Sequence, residues 1–525
     1  MQNLDYTAWP EAPAKPHCDE LTSRLAPLGH SRCYGYCLAL SPDGGEPLEY
    51  GPSRRRPLPS ISIPGFVTRM VSRLLRATER RAIVGLSGLY ATRMLGLFMV
   101  LPVLALYAGE LEGATPLLIG LALGGYGLTQ AVLQIPFGLL SDRLGRKPVI
   151  AFGMLLFLLG SLVAAQAESI ALVILGRCLQ GSGAVAAAIM ALLADQTREE
   201  VRTAAMASIG LSIGVAFAIA MVLGPWLAAA FGLAAVFWVT AGLSLLGLLV
   251  LWRLVPQAPQ RRHRDVGLDR AQLRAVLARA DLLRLDFSIF ALHLVLMALF
   301  VAIPLRLLDA GLAVEHHGWV YLGIMGLAFV GMVPLVIIAE KRRRMKTMFL
   351  LAVAGLGLCS LGLGLAGDGR WALMGWLLGF FVAFNLLEAT LPSMLSKLAP
   401  AGAKGTAMGV YSTGQFLGAF LGGVLGGALV QWGGLEAVFY GCALVGLLWL
   451  GLIAGMAPPP HLSSEVVALE DEPHDALDSL MERLAEVAGV EDVLVVPEER
   501  VAYLKVDRQR LDSEALARVA GKRKS

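Results

Sequence analysis

Apolar runs of about twenty residues, separated by short polar breaks, recur along this chain from residue 83 to residue 457. A run of ~20 apolar residues is long enough to cross the hydrocarbon core of a bilayer, and with no water there to satisfy backbone polar groups it must do so as a helix. Twelve runs qualify: roughly 83–108, 116–140, 149–167, 170–194, 204–231, 233–254, 286–308, 318–339, 347–366, 371–396, 405–430 and 435–457. A polar stretch, Pro256 to Arg284, divides them six and six. The pattern predicts an all-α membrane bundle of twelve transmembrane helices, with six-helix halves at 70–255 and 285–457 and a linker at 256–284. Within the linker, Leu268 to Leu283 sets leucines at helical spacing among arginines, which fits either an amphipathic helix on the inner leaflet or a charged tether. The halves echo each other at an offset of 202 residues: Arg202, Ala205, Met206, Ala220 and Gly224 fall opposite Lys404, Ala407, Met408, Gly422 and Gly426. Parallel repeats of this kind build two bundles around a midplane site.

The ends are of a different character. Residues 1–69 are rich in Pro, Gly and charge with no sustained periodicity, and are expected to be disordered. Met70 opens a basic lead-in, VSRLLRATERRA, and is expected to be the native start. After Pro458-Pro459-Pro460 the pattern turns soluble. SSEVVALE reads as a strand, His474 to Ala488 as an amphipathic helix, VEDVLVVP and RVAYLKVD as strands joined at Pro497 to Arg500, and Asp512 to Ala520 as a helix. That order resembles a small α+β ferredoxin-like (βαββαβ) domain over 461–525, its last strand short or missing. Regulation or bracing of the bundle is its expected task, since it has no cysteine for a soft metal.

Composition narrows the class. Charged residues are 16% of the chain and mean hydropathy is +0.66, which excludes a soluble globular protein for most of the length. The net charge of +4 matters less than its distribution: basic residues crowd the even-numbered connections, so both termini are expected on the cytoplasmic side. Cys178, Cys359 and Cys442 lie in spans and Cys18, Cys33 and Cys37 in the polar tail, which gives no disulfide or metal framework. No nucleophile–base pair, metal set or phosphate loop stands out, so neither an enzyme, a cofactor nor a nucleic-acid partner is expected.

The densest chemistry on the membrane side sits in GLLSDRLGRKP, Gly138 to Pro148, a tight turn between two spans. Gly138 is expected where helices approach closely, Asp142 at a helix end, and Arg143, Arg146 and Lys147 at an anionic surface, with Gly145 in the turn. Its pattern, G-x-L-x-D-R-x-G-R-K, resembles the loop signature of the major facilitator superfamily. Asp195, Arg198 and Arg202 close span four and its loop, so an ion-pair latch with Asp142 and Arg146 is expected, formed in one conformation and broken in the other. Arg177 opens RCLQGSG, which resembles the superfamily's span-four motif, with Gly181 and Gly183 permitting close packing. Gly210, Gly214, Ala220, Gly224 and Pro225 in span five resemble the G-x-x-x-G-P motif of proton-coupled exporters, with Ala220 in place of the leading Gly.

Charges inside spans are costly and point to function. Arg93, Arg177, His293 and Glu388 are the candidates for proton coupling: Glu388 first, as a carboxyl in apolar surroundings, then His293 as an imidazole. Asn385 lies one turn before Glu388. Tyr126, Gln130 and Gln134 in span two, with Tyr411 and Gln415 in span eleven, form polar stripes suited to a substrate cavity or to helix–helix hydrogen bonds. From residue 78 onward the chain resembles the YajR-type branch of the major facilitator superfamily. That resemblance implies proton-coupled antiport, with efflux of small amphipathic molecules or drugs across a bacterial inner membrane by alternating access. The implied partners are a small-molecule substrate, protons and the lipid bilayer, and the implied state is monomeric. A proton-linked importer and a membrane sensor with a cytoplasmic signalling domain share these features.

Overall fold

A computed structural model describes residues 76–257, 270–367, 369–400, 403–457, 463–468, 477–496, 501–507 and 510–519. The expectations for residues 1–69 and for the turn Pro497 to Arg500 lie outside these. The first half contains α1 (Ala77–Met99), α2 (Leu104–Tyr107), α3 (Pro116–Leu144), α4 (Arg146–Ala165), α5 (Ile170–Ser182), α6 (Ala186–Gln196), α7 (Glu199–Phe231) and α8 (Leu233–Arg253). After α9 (Arg270–Leu277), the second half contains α10 (Ala280–Asp309), α11 (Val314–Lys341), α12 (Met345–Leu365), α13 (Arg370–Leu398) and α14 (Lys404–Ala454).

Eleven continuous helical stretches among the described residues are long and apolar enough to cross a membrane. The sequence pattern predicts twelve, and the difference falls on α14. At 1.5 Å per residue its 51 residues span roughly 76 Å, more than twice the ~30 Å apolar core. Gly434 (φ 80°, ψ −178°) interrupts it, and two helices meet there with no loop between them. Gly232, 202 residues earlier, has φ 80° and ψ 174° and joins α7 to α8 in the same way. Only glycine takes that backbone without strain. The repeat is thus visible in backbone geometry as well as in residue type. It extends to packing: a Cβ on Gly224 would strike the backbone of Met99 in α1, and one on Gly426 would strike Ala298 in α10.

The halves meet along two seams. In α3, capped by Thr115 and started by Pro116, glycines 120, 124 and 127 lie against the backbone of Gly423, Phe420 and Phe416 in α14. A Cβ at any of them would run into a carbonyl oxygen. Without a hydrophobic drive between helices in lipid, close backbone contact of this kind is what holds them. Gln134 Nε2 donates to Thr413 Oγ1 (2.8 Å) across the same seam, and Gln431 accepts from the Leu117 amide (3.2 Å). On the second seam, Gly318 of α11 faces Val222 of α7.

The linker helix is shorter than its leucine spacing predicts. Eight residues form α9, and Ala280 onward belongs to α10. Val276 is fully buried, and Thr406 Oγ1 donates to Gln272 Oε1 (3.1 Å), so α9 is docked on the second half. Beyond the bundle, β1 (Ser463–Ala468), α15 (Leu477–Ala485), β2 (Val490–Val496), β3 (Val501–Val506) and α16 (Ser513–Val519) follow the predicted order. The strands form one antiparallel sheet, β1-β3-β2, over a core that includes Val467, Leu480, Leu484, Leu504 and Leu516.

Candidate functional site

Two groups of polar side chains inside the bundle, one in each half, bear on the candidate residues. In the first, Arg93 of α1 is fully buried, and its Nη2 reaches Tyr126 Oη (2.7 Å), Gln130 Oε1 (2.9 Å) and the Gly183 carbonyl (3.0 Å). Gly183 lies at the break between α5 and α6, where its carbonyl also accepts from the Val185 amide (2.8 Å) in place of the regular helix bond. Arg177 of α5 is also buried. It donates to the Ala122 and Leu123 carbonyls and to Gln180 Oε1 (2.8 Å), and Gln180 in turn donates to Ser161 (2.9 Å). The two guanidinium groups lie 5.8 and 5.4 Å from the centre of the Tyr126 ring. Gly181 and Gly183 allow this packing: a Cβ on Gly181 would strike Thr129 and the Tyr126 carbonyl, and one on Gly183 the Gly153 carbonyl.

In the second half, His293 of α10 sits between α13 and α14. Gln415 Nε2 donates to its Nε2 (2.8 Å), and its Nδ1–H donates to the Ile289 carbonyl (3.2 Å), a pairing that describes the neutral ring. Glu388 Oε2 lies 3.9 Å from the same Nε2. That oxygen is buried and has no hydrogen-bond partner among the described residues, while the side chain as a whole is 40% exposed. A proton arriving at Nε2 removes its lone pair, breaks the bond from Gln415 and gives Glu388 a charged partner. Asn385 lies one turn earlier on the same helix and is partly buried. Tyr411 is buried, its hydroxyl has no partner among the described residues, and it lies within electrostatic reach of Glu388 and of Asp286.

The predicted latch is partly assembled. Arg146 pairs with Asp142, with Asp195 (3.3 Å) and with Ser141 Oγ (2.8 Å). Lys147 caps the Val255 carbonyl. Arg143 and Arg202 are exposed, and Arg202 pairs with no described residue. Arg198 turns instead to Glu79 of α1 (2.7 Å), whose side chain is buried and also accepts from the Arg76 amide. Two glycine roles differ from expectation. A Cβ on Gly138 would meet only Ala187, at an ordinary 3.8 Å, whereas Gly145 carries φ 97° and is the position that requires glycine. Gly210 and Gly214 face open space, so packing of α7 is carried by Ala220, which is fully buried, and by Gly224, next to Pro225.

Sequence reasoning passed over Asp286 and Glu79. Asp286 is nearly buried in α10 with neither oxygen partnered among the described residues. Each stands near the start of a predicted span, where a carboxylate reads as a solvated end, and no pattern in the sequence separates the two cases.

A model of the Major Facilitator Superfamily matches residues 86–422 and 374–488. The chain belongs to the major facilitator superfamily. A YajR YAM domain model matches residues 468–515, which places a named module on the sheet that follows the bundle. Among superfamily relatives, inner membrane transport protein YajR of Escherichia coli (strain K12) is 48% identical over 430 residues, 82% of this chain and 94% of that protein. Multidrug resistance protein MdtH of Aeromonas salmonicida (strain A449) is 29% identical over 320 residues, 60% of this chain and 79% of that one. The crystal structure of a D-xylose-proton symporter superposes with a TM-score of 0.59 at 16% identity, covering 73% of this chain and 98% of that one, a likeness of fold alone. This superfamily member is accordingly a membrane transport protein and not an enzyme.

Proposed function

We propose that the protein is a proton-coupled antiporter of the inner membrane that exports small amphipathic molecules by alternating access between two six-helix halves. On this reading α14 supplies two spans, broken at Gly434, which brings the membrane helices to twelve, and the sheet with its helices is a ferredoxin-like domain lacking its last strand. The positive-inside bias puts the Asp142–Arg146 end and both termini in the cytoplasm. The domain limits 70–255, 256–284, 285–457 and 461–525 carry over as the working units.

The observation that carries the coupling is the His293–Gln415–Glu388 set. Three helices, α10, α13 and α14, each contribute one member, and the bonding pattern depends on a single proton at His293 Nε2. An ionisable pair inside a membrane bundle is the kind of group through which a proton gradient acts. Export rather than import is supported by the glycine–proline pattern of α7 and by the MdtH relative, which is named for multidrug resistance. Lys505 of β3 donates to the carbonyls of Lys397 and Ala399 at the end of α13, the helix that bears Glu388, and this contact favours a regulatory part for the domain.

The test is transport by the full-length protein in proteoliposomes under an imposed pH gradient, using an amphipathic dye. Glu388→Gln and His293→Ala should each abolish gradient-driven accumulation while leaving counterflow exchange of the dye within about threefold of wild type. Undiminished gradient-driven transport in both variants would remove this pair from the coupling mechanism.

A further inference from the structure

Arg93 carries five N–H groups, and only those on Nη2 find acceptors. Nε and Nη1 are buried with no partner among the described residues, and so is the amide nitrogen of Gln130 beside them. Every unsatisfied side-chain atom at this locus is a donor. No carboxylate stands within ion-pair distance of Arg93 among the described residues; the ion pairs of this half belong to Arg146 and Arg198, at its basic end. The second guanidinium, Arg177, has all three nitrogens engaged and adds positive potential 5.4 Å from the centre of the Tyr126 ring without adding a nitrogen that lacks an acceptor. In the other half the side-chain atoms without a partner among the described residues are mixed, including both oxygens of Asp286 and one of Glu388 but also Nε of Arg306.

A permanently charged guanidinium removed from water is retained at a large cost unless an anion and hydrogen-bond acceptors meet it. Nε and Nη1 lie on different edges of the guanidinium, so each can donate its own charge-assisted hydrogen bond to an anionic oxygen, with the Gln130 amide nitrogen as a third donor. We propose that Arg93, with Gln130 and Tyr126, is an anion subsite that takes the carboxylate of the transported molecule. This rests on the transporter reading above and narrows the cargo to amphipathic acids. Access is governed by the other half: the ring of Phe416 in α14 packs edge-on against Tyr126 at 6.3 Å, and the Phe416 backbone presses on Gly127. While α3 and α14 are together the subsite is covered. Parting the seam withdraws Phe416 and opens it, so the acid is loaded in one conformation and enclosed in the other.

The experiment reads binding, with no gradient, on the detergent-solubilised full-length protein. Thermal unfolding is followed during titration with sodium benzoate, salicylate and octanoate, each against its neutral amide, with sodium chloride at matched ionic strength. At least one acid should raise the midpoint saturably, its amide and chloride should not, and Arg93→Met should remove the effect. Gln130→Leu, which keeps the charge, should raise the half-saturating acid concentration about tenfold, and Arg93→Lys should keep part of the stabilisation. If Arg93→Met fails to fold, those two variants decide. Equal effects of acid and amide, full reproduction by chloride, persistence in Gln130→Leu and Arg93→Met, or no response to any of the three acids would overturn the subsite. Since no transport is measured, the subsite and the coupling pair can fail separately.

Discussion

At the scale of single residues, the two glycines of the Gly138–Pro148 segment make the sharpest contrast: Gly138 lies within α3, and Gly145 alone forms the junction with α4. Both satisfy the loop signature, yet only Gly145 (φ 97°, ψ 149°) occupies backbone space that other residues avoid. Gly145→Val should cost about 1–3 kcal/mol, the usual strain of an L-residue held in such a region. Gly138→Ala should be near neutral, because its new methyl meets only Ala187. Thermal unfolding of the two purified variants checks this, and equal losses would show that the turn is not strained as described. Much of the polar chemistry was legible at this scale: arginine, histidine and glutamate inside apolar runs announce themselves by their cost in lipid. What could not be read was partnership. Tyr126 and Gln130 share a helical stripe, but that both converge on Arg93, and that Gln134 one turn further crosses to Thr413, depends on contacts 33 to 279 residues apart. Asp286 escaped for a related reason, since hydropathy alone does not tell a buried carboxyl near a span end from a solvated one.

At the scale of elements, the seam between α3 and α14 depends on glycines at 120, 124 and 127 meeting the backbone of the opposing helix. Gly120→Leu would drive a side chain into the Gly423 carbonyl and the backbone of Gly427. The helices can relieve this only by separating at that end, so the variant should favour the conformation in which they are apart. Spin labels at Glu112 and Trp432, both exposed near this end of the seam, should report a longer and broader distance distribution than in the parent protein. An unchanged distribution would mean that the seam yields locally. The sequence announces small residues in both helices, and apolar run length announces the helices themselves. Which small residues face a neighbour and which face open space, as Gly210 and Gly214 do, is decided by helix rotation, which run length does not determine.

At the scale of the whole molecule, the sheet domain is joined to the bundle by more than its tether. The nearly buried Lys505 ammonium covers the last carbonyls of α13, where a cation is favoured by the helix dipole by about 0.3–1 kcal/mol, more when partly buried. Lys505→Ala should therefore speed hydrogen–deuterium exchange at residues 395–400 by a few-fold while the sheet itself stays protected. Equal exchange in both proteins would remove the contact as a tie. The two loopless junctions at Gly232 and Gly434 bear on how such a body moves. Helices linked by a flexible connector can slide lengthwise past each other, but a pair fused through one residue has no slack to take up a shear. Whatever lengthwise displacement α7 acquires at Gly232 must therefore be taken up by α8, and likewise from the first leg of α14 to its second at Gly434, so that the joined ends travel as one hinge pin.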